Sequence, residues 1–106
     1  MTSPFESGLM HVIKRKALVE FWKKHADAQI PLAAWYHEAK SAVWNAPQDI
    51  KDRYRSADFL PGNRVLFNMG GNKYRLVVKI VYVPGVVYVR FVGTHAEYDR
   101  INAETI

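Results

Sequence analysis

Residues 65–93 read VLFNMGGNKYRLVVKIVYVPGVVYVRFVG, and this stretch decides the fold. It contains three runs rich in β-branched and aromatic residues, a composition typical of strands, at Val65–Met69, Tyr74–Val83 and Val86–Gly93. Strong turn sequences separate the runs, at Gly70-Gly71-Asn72 and at Pro84-Gly85. The stretch therefore predicts three consecutive strands of one antiparallel sheet.

The sequence before these strands has the periodicity of helices. Lys16–His25 predicts a first helix, and a second begins near Pro31, a residue favoured in the first turn, and ends at Asn45. Their apolar stripes, assigned to the core, are Leu18, Phe21 and Trp22 in the first helix and Leu32, Trp35, Tyr36, Ala39 and Val43 in the second. A short strand at Met10–Ile13 precedes the helices, and Pro47–Tyr54 adds a short helical piece.

This order of elements predicts an α+β fold, with two N-terminal helices packed on one face of an antiparallel sheet. Residues 1–9 have the breakers Ser3-Pro4 and Ser7-Gly8 and are expected to form a flexible extension, which leaves residues 10–106 as one domain. The absence of cysteine excludes disulfides, thiolate metal sites and a cysteine nucleophile. No apolar run approaches the roughly 18 residues of a membrane span, so a soluble cytoplasmic protein is expected.

The net charge of +5 is distributed unevenly along the chain. Residues 59–96 contain no Asp or Glu but five cations, at Arg64, Lys73, Arg75, Lys79 and Arg90. The rest of the chain holds ten cations and ten anions, so the whole excess lies in this stretch. Such a patch indicates a polyanionic partner such as nucleic acid. The alternative is that strands disfavour acids and that these cations only solubilise an exposed face.

Lys79 and Arg90 are expected to face each other across the second hairpin. Strand alternation places Lys79 on the face of Arg75 and Val77, and it places Tyr88 and Arg90 opposite to Val87, Val89 and Phe91. Like charges in direct opposition cost about 0.2–1 kcal/mol, and a bound phosphate would convert that cost into a contact. The alternative is that both long side chains splay into water.

Residues 94–97 have the Thr-x-x-Glu form of a capping box, so Thr94 is expected to cap a short C-terminal helix that begins at His95. Tyr98 then lies one turn after His95 on the same side. The free N–H groups of a helix start attract anions, and histidine is suited to proton transfer near neutral pH. The alternative is a solvated His95 with Tyr98 packed on the core.

The remaining histidines, His11, His25 and His37, lack partners at metal-ligand spacing and are interpreted as structural. No cofactor is therefore expected, and any cleavage of a phosphodiester bond must use protein side chains alone. The RNA 2′-OH is then the natural nucleophile, because it already lies beside the phosphorus.

Several motifs together resemble the HigB family of bacterial toxins. The resemblance covers about residues 10–101 and is carried by Met10–Ile13, the run Asn68–Val78, Tyr88-Val89-Arg90 and Thr94–Asp99. It implies a RelE-like fold and an mRNA interferase of a type II toxin–antitoxin system. It also implies cleavage of mRNA, often on translating ribosomes, and silencing by a HigA-like antitoxin with a helix-turn-helix domain.

The resemblance also assigns roles to residues. Arg75 corresponds to the arginine that stabilises the transition-state phosphate, and His95 takes a place where RelE itself has an arginine. Tyr98 and Lys73 lie near the tyrosine and the lysine of that site, so the expected catalytic set is Arg75, His95, Tyr98 and Lys73. The expected RNA contacts are Arg90, Asn72, Tyr88 and Lys79, of which Lys79 belongs to no motif of the family.

Two other functions fit the same fold. A ParE-like toxin binds and poisons DNA gyrase without cutting RNA, but such a protein has no need of a proton-transfer residue such as His95. A non-catalytic RNA-binding module, kept for its antitoxin contact, is the other alternative. An assay with RNA alone and with translating ribosomes separates the three hypotheses.

Overall fold

The computed structural model describes residues 9–106. The predicted extension over residues 1–9 therefore lies outside the described residues, except for its last residue, Leu9. Within these described residues there are five strands and four α-helices. The order is β1 His11–Ile13, α1 Arg15–Lys24, a 3₁₀ turn Ala26–Ala28, α2 Gln29–Ser41, α3 Pro47–Arg53, β2 Asp58–Leu60, β3 Arg64–Met69, β4 Tyr74–Val81, β5 Val86–Thr94 and α4 His95–Tyr98. The predicted α+β class is confirmed.

The five strands form one sheet in the order β1-β5-β4-β3-β2. The three predicted strands are its centre, and β2–β3, β3–β4 and β4–β5 pair in antiparallel fashion. The sheet differs from the expectation at its edges, because β2 was not predicted and β1 pairs with β5 in parallel. Strands joined by a tight turn must be antiparallel, whereas the helices between β1 and the rest of the sheet leave its direction free.

All three longer helices pack on one face of the sheet, called here the inner face. Its core combines buried residues of the helices with alternate residues of the strands, including Leu76, Val78 and Ile80. Leu18, Phe21, Leu32, Trp35 and Ala39 are buried as predicted, while Trp22 and Tyr36 are partly buried. Val43 is 50% exposed, so its assignment to the core was wrong. The reason is that α2 ends at Ser41 and Ala42 is extended, which breaks the helical period before Val43.

The opposite face, called here the outer face, carries a smaller apolar cluster. Leu66 of β3 and Val77 of β4 pack there against Ala103, with partly buried side chains around them at Leu60, Phe91, Tyr98, Ile101 and Ile106. The residues after α4 therefore fold back over the middle of the outer face. Within residues 9–106, none of the helices combines the length and the apolar character needed to cross a membrane.

A β-bulge and a turn longer than expected change the predicted register of the second hairpin. Val77 pairs with Phe91 but Val78 pairs with Val89, so Arg90 is an extra residue in β5. Lys79 pairs with Tyr88 and not with Arg90, because residues 82–85 form a four-residue turn between the paired residues Val81 and Val86, so the opposition predicted from a tight turn at Pro84-Gly85 was wrong. The bulge also moves Phe91 to the outer face, where it joins the smaller cluster, whereas the sequence predicted it beside Val87 and Val89.

Candidate active site

The outer face carries three rows of residues, because directly paired residues of antiparallel strands face the same side. From one end of the sheet to the other, the rows are Asn68–Arg75–Gly93, Leu66–Val77–Phe91 and Arg64–Lys79–Tyr88. The middle row is apolar and is covered by the residues after α4. The outer face therefore has a polar row at the end next to α4 and a separate cationic row at the far end.

Arg75 lies in the row next to α4, and its guanidinium is held by main-chain oxygens. Its Nη1 donates to the carbonyl of Asn72 at 2.7 Å and to that of Tyr74 at 3.4 Å. Asn72 has a φ of 74°, a left-handed conformation that asparagine tolerates better than most residues, and the conformation directs its carbonyl to Arg75. Nε and Nη2 of Arg75 make no hydrogen bond within residues 9–106, so the rest of the guanidinium fork is available to a phosphate.

Helix α4 begins beside this row, because Thr94 pairs with Tyr74 at the start of β4. The capping box is confirmed: the Glu97 N–H donates to Thr94 Oγ1 at 3.1 Å, and the Thr94 N–H donates to Glu97 Oε1 at 2.8 Å. The hydrogen bond that the Glu97 carboxylate accepts from the backbone N–H of Thr94 holds the pKa of Glu97 below its usual value. The box fixes the single turn that carries the next two candidates, His95 and Tyr98.

His95 and Tyr98 occupy different environments on that turn. His95 is exposed, and its Nε2 lies 3.7 Å from Oδ1 of Asp99. Tyr98 is half-buried in the outer-face cluster, with its ring 6.3 Å from the ring of Phe91. Arg75, His95 and Tyr98 are thus brought to the same end of the sheet, as predicted.

Lys73 is directed to the helical side of this end. Its ammonium and the hydroxyl of Tyr74 both bind the carboxylate of Asp27, which belongs to the 3₁₀ turn after α1. The hydrogen bond from Lys73, followed by that from Tyr74, lowers the pKa of Asp27, and the bond to Asp27 raises the pKa of Lys73. The positive charge of Lys73 is therefore paired with a carboxylate that lies outside residues 59–96, the stretch without Asp or Glu. Nothing in the sequence around Asp27 signalled this role.

The other predicted RNA contacts lie elsewhere. Lys79 is four residues from Arg75 along β4, or about 13 Å, and it lies between Arg64 and Tyr88. The like-charge neighbour of Lys79 is therefore Arg64 and not Arg90. Nε of Arg64 donates to the main-chain oxygen of Ile106 at 2.8 Å, and Nε of Arg90 lies 3.5 Å from the same oxygen. Arg64, Lys79, Tyr88 and Arg90 are called here the far patch.

His25, which was interpreted as structural, packs against aromatic rings. Its ring stacks on Phe21 at 4.4 Å and meets the edge of Tyr74 at 5.6 Å. The ring of His37 lies 5.7 Å from that of Tyr36. Among the side chains of residues 9–106, no three of His, Asp and Glu are grouped as a metal site requires.

Comparison with known proteins shows the family. The model of the HigB toxin family, described as the RelE-like toxic component of a toxin-antitoxin system, matches residues 28–101. The chain is 30% identical over 96 residues to the mRNA interferase toxin HigB of Escherichia coli K12, an alignment that covers 89% of this chain and 92% of the relative. The mRNA interferase HigB of Escherichia coli O6:H1 (strain CFT073) is 26% identical over 94 residues, with 87% and 91% covered. The family model and these alignments together confirm the resemblance, and the chain belongs to the HigB toxin family, the RelE-like toxic components of toxin–antitoxin systems.

Proposed function

We propose that this protein is an mRNA interferase, a toxin that cleaves mRNA with its own side chains. The observation that carries the proposal is the placement of the Arg75 guanidinium at the end of the outer face that also holds His95 and Tyr98. The names of the relatives, which are mRNA interferases, support the same substrate. A gyrase poison of the same fold has no use for this combination of a phosphate ligand and proton-transfer groups.

The proposed reaction is an attack of the RNA 2′-OH on the adjacent phosphorus. The 2′-oxygen loses its proton to a base and forms a bond to phosphorus, while the bond to the 5′-oxygen breaks and that oxygen gains a proton from an acid. The products carry a 2′,3′-cyclic phosphate and a 5′-hydroxyl. Arg75 stabilises the negative charge that develops on the phosphate oxygens, the contribution that electrostatic preorganisation makes to catalysis.

The two proton transfers fall to His95, Tyr98 or Lys73. Bonding to Asp27 raises the pKa of Lys73, and a lysine that holds its proton more tightly is a poor base. We therefore assign the transfers first to His95 and Tyr98, either of which can act as the acid or the base. Asn72 serves the site through its carbonyl, which orients Arg75.

We place the RNA strand across the outer face, with its backbone reaching the far patch. Lys79, Tyr88 and Arg90 are the proposed contacts there, and cations on a sheet face suit a phosphate backbone. In the cell, the substrate is expected to be mRNA on translating ribosomes in the cytoplasm. The neutralising partner is expected to be a HigA-like antitoxin with a helix-turn-helix domain.

The proposal is tested by incubating the purified protein with free RNA and with mRNA on translating ribosomes, with and without EDTA. We expect cleavage that EDTA leaves intact and products with 5′-hydroxyl and 2′,3′-cyclic phosphate ends. A requirement for Mg²⁺, or products with 5′-phosphate ends, would refute the mechanism. An intact RNA in both reactions, together with inhibition of DNA gyrase, would refute the function.

A further inference from the structure

A cavity of about 250 Å³ lies between α1, the end of β5 and α4. Its apolar lining comes from Ala17, Phe21 and Val92, and its polar lining from Glu20, Lys24, His25 and Glu97. This volume corresponds to about eight water molecules of the liquid, so the cavity accepts a group as large as a nucleobase.

The cavity adjoins the candidate active site across one helical turn. Glu97 lies two residues after His95 in α4, and successive helical residues are rotated by about 100°. Glu97 therefore faces away from His95 and Tyr98, toward α1. Val92 pairs with Leu76, so the cavity lies on the inner side of the sheet, and a nucleotide next to the cleaved bond would pass α4 to place its base there while its phosphate stays near Arg75.

The lining of the cavity favours a planar ring over a phosphate. Phe21 and His25, whose rings stack on each other, form an aromatic wall of the cavity, and Val92 adds an apolar surface. The two carboxylates, of Glu20 and Glu97, outnumber the one ammonium, of Lys24, so the lining disfavours a phosphate and offers acceptors to N–H groups. Only Oε1 of Glu97 is used by the capping box, and Oε2 has no hydrogen bond within the described part of the chain.

We propose that this cavity binds a nucleobase with an exocyclic amino group, from the nucleotide next to the cleaved bond, and that Glu97 accepts a hydrogen bond from that group. The inference rests on the proposed mRNA interferase function. Adenine, cytosine and guanine carry such an amino group, whereas the N3–H of uracil lies between two carbonyl oxygens that repel a carboxylate, so the cavity selects against uracil. Glu97 is then a specificity-determining residue of the cleavage reaction.

The first test uses the unaltered protein and a series of otherwise identical mRNAs. The nucleotides on either side of one cleaved bond are each replaced by A, C, G and U. The value of kcat/KM is then measured with free RNA or with mRNA on translating ribosomes, whichever of the two supports cleavage. At one of the two positions we expect uracil to be disfavoured by about 10- to 100-fold, the discrimination that a good base contact provides. Cleavage that is indifferent to uracil at both positions overturns the inference but leaves the proposed function standing, whereas no cleavage of any RNA rejects both.

Two variants then locate the discrimination. Glu97→Gln keeps the capping box, because glutamine serves at this position as well as glutamate, but replaces the free acceptor with an N–H donor. We expect it to cleave the uracil substrate as well as the others. Ala17→Leu places a larger side chain in the cavity, and leucine is a good helix former, so α1 is kept. This variant should also discriminate less against uracil. Glu104→Gln removes the same charge outside the cavity and should leave the preference unchanged.

Retained discrimination in both Glu97→Gln and Ala17→Leu overturns the inference. The cavity would also be reassigned if Glu97→Gln kept its base preference but bound the co-expressed antitoxin more weakly. In that case the carboxylates receive a cationic side chain of the partner. Circular dichroism of each variant establishes that it is folded before its kinetics are compared.

Discussion

At the scale of single residues, Arg75 and Lys73 show how neighbouring cations acquire different roles. The guanidinium of Arg75 is oriented by main-chain carbonyls, which fix its position without cancelling its charge. The ammonium of Lys73 is bound by the carboxylate of Asp27, which cancels much of its charge for a distant phosphate. Arg75 is therefore the better residue to stabilise charge that develops on a phosphate.

Replacing Arg75 should affect the chemical step more than RNA binding. We expect Arg75→Ala to lower kcat by about a hundred- to thousandfold, because a preorganised contact to developing charge contributes about 3–4 kcal/mol. Lys79→Ala, on the same face of β4, is the matched control and should raise KM with little change in kcat. Equal effects of the two variants on kcat and KM would show that Arg75 only binds.

Tyr98→Phe removes one hydroxyl and keeps the ring against Phe91. If Tyr98 transfers a proton, the cleavage rate should fall by about a hundred- to ten-thousandfold while the melting temperature stays the same. Tyr88→Phe is the control, since Tyr88 lies in the far patch and has no proposed role in proton transfer. A fully toxic Tyr98→Phe variant would identify Tyr98 as a packing residue and leave His95 as the proton-transfer group.

The carboxylate of Asp27 should make stability depend on acid. Its pKa is lowered from 3.8 in the folded state, so its stabilisation is present above that pH and is lost as pH falls through the lowered value. We expect Asp27→Asn to be less stable than the unaltered protein at neutral pH, with a difference that shrinks below about pH 4. Urea unfolding at several pH values measures it, and a difference that stays constant with pH would exclude the ion pair as its cause.

At the scale of elements, the sequence predicted most of the sheet but not its register. Turns with glycine or proline and runs of β-branched residues are local signals. The three central strands and the capping box were therefore predictable, and so was the end of the sheet at which Arg75 and α4 meet. The bulge at Arg90 is not local, because it depends on how β5 pairs with β4. The same holds for β2, which has only three residues, and for Asp27, whose partners are distant in sequence.

The packing of β3 on the helices provides a stability test at this scale. Phe67 is 1% exposed and its ring contacts those of Trp35 and Tyr54, at 5.5 Å and 5.1 Å. Phe67→Ala should lower the free energy of unfolding by about 3–5 kcal/mol, because it leaves a cavity in the core. Phe59→Ala, at a site that is 40% exposed in β2, should cost much less. Similar losses in urea unfolding would mean that β2 is more deeply packed than the structure shows.

At the scale of the whole molecule, the positive charge of the outer face is divided into two places. The row next to α4 holds Arg75, the far patch holds Arg64, Lys79 and Arg90, and the covered apolar row lies between them. The sequence predicted the cationic residues as a group, since residues 59–96 lack acids. It could not predict their separation, because that depends on the residues after α4 folding back between them. In the proposed function, the row next to α4 carries out the cleavage and the far patch binds the RNA backbone.

This division should appear in the salt dependence of RNA or ribosome binding. Each phosphate contact to a single strand contributes a slope of about −0.7 to log K against log salt, because bound counterions are released. Lys79→Ala and Arg90→Ala should therefore each make the slope less steep by about that amount, and the double variant by about twice as much, without unfolding the domain. Lys23→Ala removes the same charge from the last turn of α1, on the other side of the sheet, and should leave the slope unchanged. If all three single variants change the slope equally, RNA is attracted by the net charge of the protein and not by the far patch. If none of them does, the cations of the far patch serve solubility alone, and the strand must leave the outer face after Arg75.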